Sequence, residues 1–123
     1  MKIRDHRELD VFKIAFKTSM EIYELSREFP KYEMYSLTDQ IRRSSRSVCA
    51  DLAEAFRKRK YPKAFVAKLS DSEGEAAETQ TWLEYCYKCG YINKETSDKL
   101  IIDYDHVLGK LVNMALHPEQ WSY

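Results

Sequence analysis

The chain has 123 residues, with 20 basic side chains balancing 20 acidic ones and 44% of its residues apolar. That length suits one domain with a sizeable core, and the apolar share is too high for intrinsic disorder although 33% of residues are charged. Only 3 Gly and 3 Pro occur, too few for the recurrent turns of an all-β fold, and no apolar run reaches the roughly 18 residues of a membrane-spanning helix.

Four helical segments are predicted, at about 8–28, 37–58, 62–89 and 94–116. The first stops at Phe29-Pro30, because a residue before proline is pushed out of the α region. It is apolar on two sides. Leu9, Phe12, Phe16, Met20 and Tyr23 line one, and Val11, Ile14, Ala15, Ile22 and Leu25 line the other. A helix of a monomeric four-helix bundle buries one face, so a second apolar face predicts another subunit. Val11, Ile14, Ile22 and Leu25 are the expected subunit or inter-helix contacts. The alternative is a helix more central in its own bundle.

The second segment opens near Ser36 or Thr38, residue types whose side chains cap orphan amides. Its core stripe is Leu37, Ile41, Val48, Leu52 and Phe56, within about a 100° arc of the helical wheel. The third starts at Tyr61-Pro62, with proline suited to the first helical position, and ends at Gly90. Phe65, Leu69, Ala76, Leu83 and Tyr87 form its stripe. The fourth follows Asn93, a good N-cap, and ends before Pro118, with Leu100, Tyr104, Val107, Leu108, Leu111 and Met114 facing inward. Short connections between such helices favour antiparallel neighbours. The expected fold is therefore all-α, a single antiparallel up-down-up-down four-helix bundle spanning 1–123.

Zero net charge hides a polarity. Residues 1–68 carry 16 Lys and Arg against 10 Asp and Glu, whereas residues 69–123 carry 4 against 10. Such polarity steers a phosphate backbone toward one end, or sets a basic face of one copy against an acidic face of another. Arg42, Arg46 and Arg57 share the side of the second segment opposite its core stripe, with Ala50 and Ala53 beside them. Arginine forks grip phosphate or carboxylate bidentately, so this flat basic face reads as a nucleic-acid or subunit contact, with a plain solvated face as the alternative. Arg57-Lys58-Arg59-Lys60 and Lys63 gather at the following turn, where cations also complement a helix dipole. Tyr61 adjoins them and is the one candidate for stacking on a base, Phe65 being in the core stripe.

No catalytic constellation emerges. Cys86-Tyr87-Lys88-Cys89 is formally a Cys-x-x-Cys, but it closes a helix instead of joining a strand to one, and Cys49 with scattered histidines does not complete a zinc site. The expectation is small buried thiols, no metal and no cofactor. Asp103, Asp105 and His106 fall on a polar helix side, and Ser44, Ser45 and Ser47 lack an ordered histidine and acid. The odd cysteine count and the lack of an apolar leader in Met1-Lys2-Ile3-Arg4-Asp5-His6 point to a cytoplasmic protein without membrane partners.

The run Phe29-Pro30, Glu33, Tyr35, Leu37, Gln40-Ile41-Arg42-Arg43 and Ser47 resembles the signature of the bacterial four-helix proteins encoded in 23S rRNA intervening sequences. Arg7-Glu8-Leu9-Asp10-Val11-Phe12 is similar to that family's opening, with Phe12 where tryptophan is frequent. The match continues through Ala53-Glu54, Phe65, Leu69, Ser72, Glu75, Glu78-Thr79-Gln80, Trp82-Leu83 and Gly90-Tyr91-Ile92, spanning about residues 7–116. Asp51 and Ala55 depart from the family's Asn-Ile-Ala-Glu-Gly.

The resemblance implies an antiparallel four-helix bundle forming a ring-like homopentamer. Relatives include accessory proteins of diversity-generating retroelements, basic pentameric barrels that bind nucleic acid and a reverse transcriptase. It supplies no reaction. Gln40 and Arg43 match the family's Gln-Ile-x-Arg, and Glu54 its Ala-Glu; Arg43 and Glu54 lie too far apart on one helix to pair. Contacts to neighbouring helices or subunits are expected for them, with Glu75 and Glu78 as partners for the arginines. The function expected is a non-enzymatic homo-oligomeric scaffold that binds structured RNA or another nucleic acid, with a nucleic-acid-processing protein as a further partner. A protein–protein interaction module without nucleic-acid binding is the alternative.

Overall fold

The computed structural model describes residues 3–122. Four helices account for most of them: α1 (Asp10–Ser26), α2 (Leu37–Arg57), α3 (Pro62–Lys88) and α4 (Lys94–Leu116). No strand occurs among the described residues.

The caps explain the boundaries. Leu9 is extended and buried ahead of α1, preceded by a 3-10 turn over His6–Glu8 whose first free amide, Arg7 N, is held by Asp5. Burying Leu9 thus delays α1 by two residues relative to the predicted start. Ser36 occupies the N-cap of α2, but its side chain caps nothing. Glu33 does that work instead, its Oε1 accepting from Leu37 N at 3.2 Å, while Thr38 Oγ1 is buried without a partner. The end of α3 follows the expected chemistry. Gly90 takes φ +82, its N–H reaches Tyr87 O, and Tyr91 N–H reaches Cys86 O, the paired bonds of a Schellman cap that only glycine enters without strain. Asn93 caps α4 by accepting from Thr96 N at 2.7 Å.

The helices form a four-helix bundle in which α1 packs on α2 and α4, and α3 packs on the same two. Residue pairs across the seams run in opposite directions along the chain. Lys68 meets Asp51, Ser72 meets Val48 and Thr79 meets Ser44, so α3 descends where α2 rises. Every residue of the α2 stripe is buried, as are Phe65, Leu69, Ala76 and Leu83 on α3 and Leu100, Tyr104, Val107, Leu111 and Met114 on α4. Tyr87 is half-buried, and Cys86 takes the inward place at that end of α3.

The two apolar sides of α1 part company here. Leu9, Val11, Ala15 and Ile22 are in the core, with Ile14 and Leu25 packed against it. Those predicted contact residues therefore serve the chain's own bundle. Phe16 and Met20, on the other side, face solvent.

Candidate nucleic-acid interface

The turn between α2 and α3 concentrates cations at one end of the bundle. Arg57, Lys58, Lys60 and Lys63 are exposed, and none makes a salt bridge among the described residues. Pro62 starts α3 directly after Tyr61, which keeps the turn short and brings Lys63 close to Arg57, Lys58 and Lys60 in the chain. Tyr61 is 60% exposed, with Lys60 Nζ 5.8 Å from its ring centroid. A planar ring beside mobile ammonium groups suits phosphate contact with an adjacent stacked base. Arg59 behaves differently from its neighbours. Its Nε donates to Phe56 O at 2.8 Å and its guanidinium lies 3.7 Å over the Phe56 ring, so it closes the helix end.

The three arginines predicted to share one face do not share one environment. Arg42 is half-buried: its Nε donates to Ser26 Oγ at 2.8 Å and its guanidinium sits 4.9 Å from the centre of Tyr23. Arg46 also lies over Tyr23, at 5.8 Å, and is exposed. Arg57 belongs to the turn, a helix end away. Arg42 is thus a strut between α1 and α2, which sequence periodicity could not reveal because Ser26 and Tyr23 lie on another helix.

The acidic residues are arranged around a lysine that the sequence did not single out. Lys68 Nζ meets Glu54 at 2.9 Å, Asp51 at 3.2 Å and Asp71 at 3.6 Å. This ammonium lowers the Glu54 pKa, and the carboxylates raise that of Lys68. Arg43 is exposed and pairs along its own helix with Asp39 at 3.9 Å. Gln40 is exposed at the same end of α2. Among the described residues neither Glu75 nor Glu78 forms an ion pair with an arginine of its own chain, which leaves the subunit contacts expected of them as the remaining route to such a pair. Burial and the neighbouring Glu78 raise the Glu75 pKa, and Glu78 Oε1 accepts from Trp82 Nε1 at 3.2 Å.

Cys86 is buried, Cys49 half-buried and Cys89 exposed, and burial pushes the thiols of Cys86 and Cys49 up to about 12 and about 11. Such thiols are poor nucleophiles. Among the described residues no group of three His, Cys, Asp or Glu side chains is placed to hold a metal ion. None of the helices is long and apolar enough to cross a membrane.

Residues 7–113 match the family model described as the 23S rRNA-intervening sequence protein. No curated protein matches the chain. Among solved structures, a protein of unknown function from the S23 ribosomal protein family of Bacteroides thetaiotaomicron is similar, with a TM-score of 0.77 at 24% sequence identity. The likeness covers 85% of this chain and 94% of that one, and it bears on the fold.

Proposed function

The chain belongs to the 23S rRNA-intervening sequence protein family, and from that premise we propose that it is a non-enzymatic, homo-oligomeric scaffold that binds structured RNA or another nucleic acid through the α2–α3 turn. The observation that carries this reading is the set of exposed cations with no carboxylate at salt-bridge distance among the described residues, Arg57, Lys58, Lys60 and Lys63, around the exposed Tyr61. Uncompensated cations at one end of a neutral protein attract polyanions and release counterions on contact, giving affinity with little sequence preference. The family's name ties it to insertions in 23S rRNA, which makes structured RNA the first ligand to try. Five copies in a ring, the assembly implied by the resemblance, would repeat the basic turn around one rim and multiply its effect. The setting we propose is the cytoplasm.

A gel shift with a labelled structured RNA, titrated with salt, tests this. Binding is expected to weaken steeply as salt rises. Replacing Arg57, Lys58, Lys60 and Lys63 by Gln is expected to abolish it while leaving the oligomer's size unchanged. No shift at low salt rejects the reading. In that case the second reading stands, a protein-interaction module, which Arg42 favours by packing against α1 instead of reaching into solvent as a phosphate grip.

A further inference from the structure

Beside the basic turn lies a shallow hollow of about 390 Å³, lined by Pro62, Lys63, Val66, Ala67 and Pro118. Two pieces of chain build it. Lys63, Val66 and Ala67 are spaced three and four apart in the first turns of α3, so they stand on one face of that helix. The facing wall comes from a 3-10 turn, Pro118–Gln120, that follows α4 and packs on α3. The lining is two proline rings, a valine, an alanine and one lysine, whose apolar stem covers the surface while its ammonium stays at the rim.

Anion-seeking groups surround this apolar floor. Among the described residues Lys63 has no carboxylate at salt-bridge distance, and neither have Arg57, Lys58 and Lys60. The first turn of α3 holds no acidic residue, and its N-cap, Tyr61, makes no side-chain hydrogen bond to it. The amides of that turn therefore stay open, with the positive end of a 27-residue helix behind them. Glu119 follows Pro118 in the chain, but it lies 3.7 Å from His117 Nδ1 and does not line the hollow.

We propose that the hollow receives the base of an unpaired nucleotide, whose phosphate lies on Lys63 and the open amides of α3. The inference rests on the reading of the turn as a nucleic-acid contact, and it narrows the ligand to RNA with bulged or looped residues. An apolar floor with a cationic rim fits a ligand that joins a flat, weakly hydrated ring to an anion within a single residue, as a nucleotide does. In a duplex both faces of each base are covered by its neighbours. Only an unpaired base has a face to lay on Pro62, Val66 and Ala67. Tyr61, 60% exposed and adjacent to Pro62, is then placed to stack the next base along the strand. The hollow offers no polar group to read a base edge, so it selects unpaired over paired residues without choosing among the bases.

A gel shift with the full chain compares two labelled RNAs, a blunt duplex and the same duplex with bulged adenosines. The bulged RNA is expected to bind about tenfold more tightly. That ratio should hold as salt rises, because the phosphate contacts that release counterions are common to both RNAs and stacking releases none. Ala67→Leu, and separately Ala67→Gln, obstruct the hollow from an exposed helical position. Each is expected to bring the ratio close to one, with helical circular dichroism intact. Equal binding of the two RNAs by the wild type overturns this inference and leaves nucleic-acid binding by the turn standing. A ratio that survives both Ala67 variants overturns the hollow as the place of the base. No binding of either RNA at low salt overturns both readings.

Discussion

Tyr91 Oη donates to Glu33 Oε2 at 2.7 Å, across 58 residues of sequence. The same carboxylate accepts from Leu37 N through its other oxygen, and the Tyr91 ring packs on Phe29 with centroids 5.4 Å apart. One glutamate thus caps α2 and ties the α1–α2 connection to the α3–α4 turn. Tyr91→Phe is expected to lower the thermal midpoint by a few degrees, and Glu33→Gln by at least as much because it weakens both bonds. The double variant should be little worse than Glu33→Gln, since the two changes share a partner. Thermal melts of the four proteins read this directly.

Ser44 and Thr79 place their hydroxyl oxygens 2.8 Å apart in the α2–α3 seam, where both residues are buried. Thr79→Val keeps the shape but leaves Ser44 Oγ only its long bond to Ile41 O at 3.4 Å, and is expected to cost about 1 kcal/mol in urea unfolding. Ser44→Ala with Thr79→Val should cost less than the sum of the single changes, because the pair is removed together.

Lys68 holds Asp51, Glu54 and Asp71 at the surface of that seam. Lys68→Met is expected to lower the thermal midpoint near neutral pH by leaving carboxylates to repel one another. The sign with pH is set by Glu54. Its pKa is depressed in the folded chain, so its contribution is present above the ordinary carboxylate range and is lost as pH falls through its folded value. The gap between wild type and variant should close in acid.

Glu75 presents the opposite sign. Its pKa is raised by burial and by Glu78, so ionising it near neutral pH works against the fold, and acid relieves the penalty. Glu75→Gln is therefore expected to raise the thermal midpoint modestly at pH 7, with the gain disappearing as wild-type Glu75 protonates. A series of melts across pH checks both the sign and the window.

Arg42 and Lys58 separate packing from ligand contact. Arg42→Gln should destabilise the chain, since it breaks the bond to Ser26 and the stacking on Tyr23, with little effect on RNA affinity. Lys58→Gln should leave the melt unchanged while reducing the salt dependence of RNA binding by about one unit of slope. Opposite results for the two would reverse their roles.

Much of this architecture was legible from local chemistry. The stripes of α2 and α4, the proline that starts α3, the Gly90 stop and the Asn93 cap are each decided within one or two turns of chain. Periodicity and capping report them faithfully for that reason. The basic turn was legible too, because five cations in seven residues have no room to hide from solvent. The capping of α2 was misread for a related reason: Ser36 is the right residue type in the right place, and nothing in the sequence says that Glu33 reaches the amide first.

What the sequence by itself determined is which side chains are apolar, which are charged, and where helices begin and end, since those depend on neighbours along the chain. Only the tertiary structure decided which apolar side of α1 turns inward, that Arg42 is bound to Ser26, that Lys68 gathers three carboxylates, and that Glu75 is half-buried beside Glu78. Each of these depends on how one helix is rotated against the next. A wheel drawn for a single helix fixes relative angles but leaves that rotation undetermined, and packing selects it by burying Val11, Ala15 and Ile22 while Phe16 and Met20 stay in water.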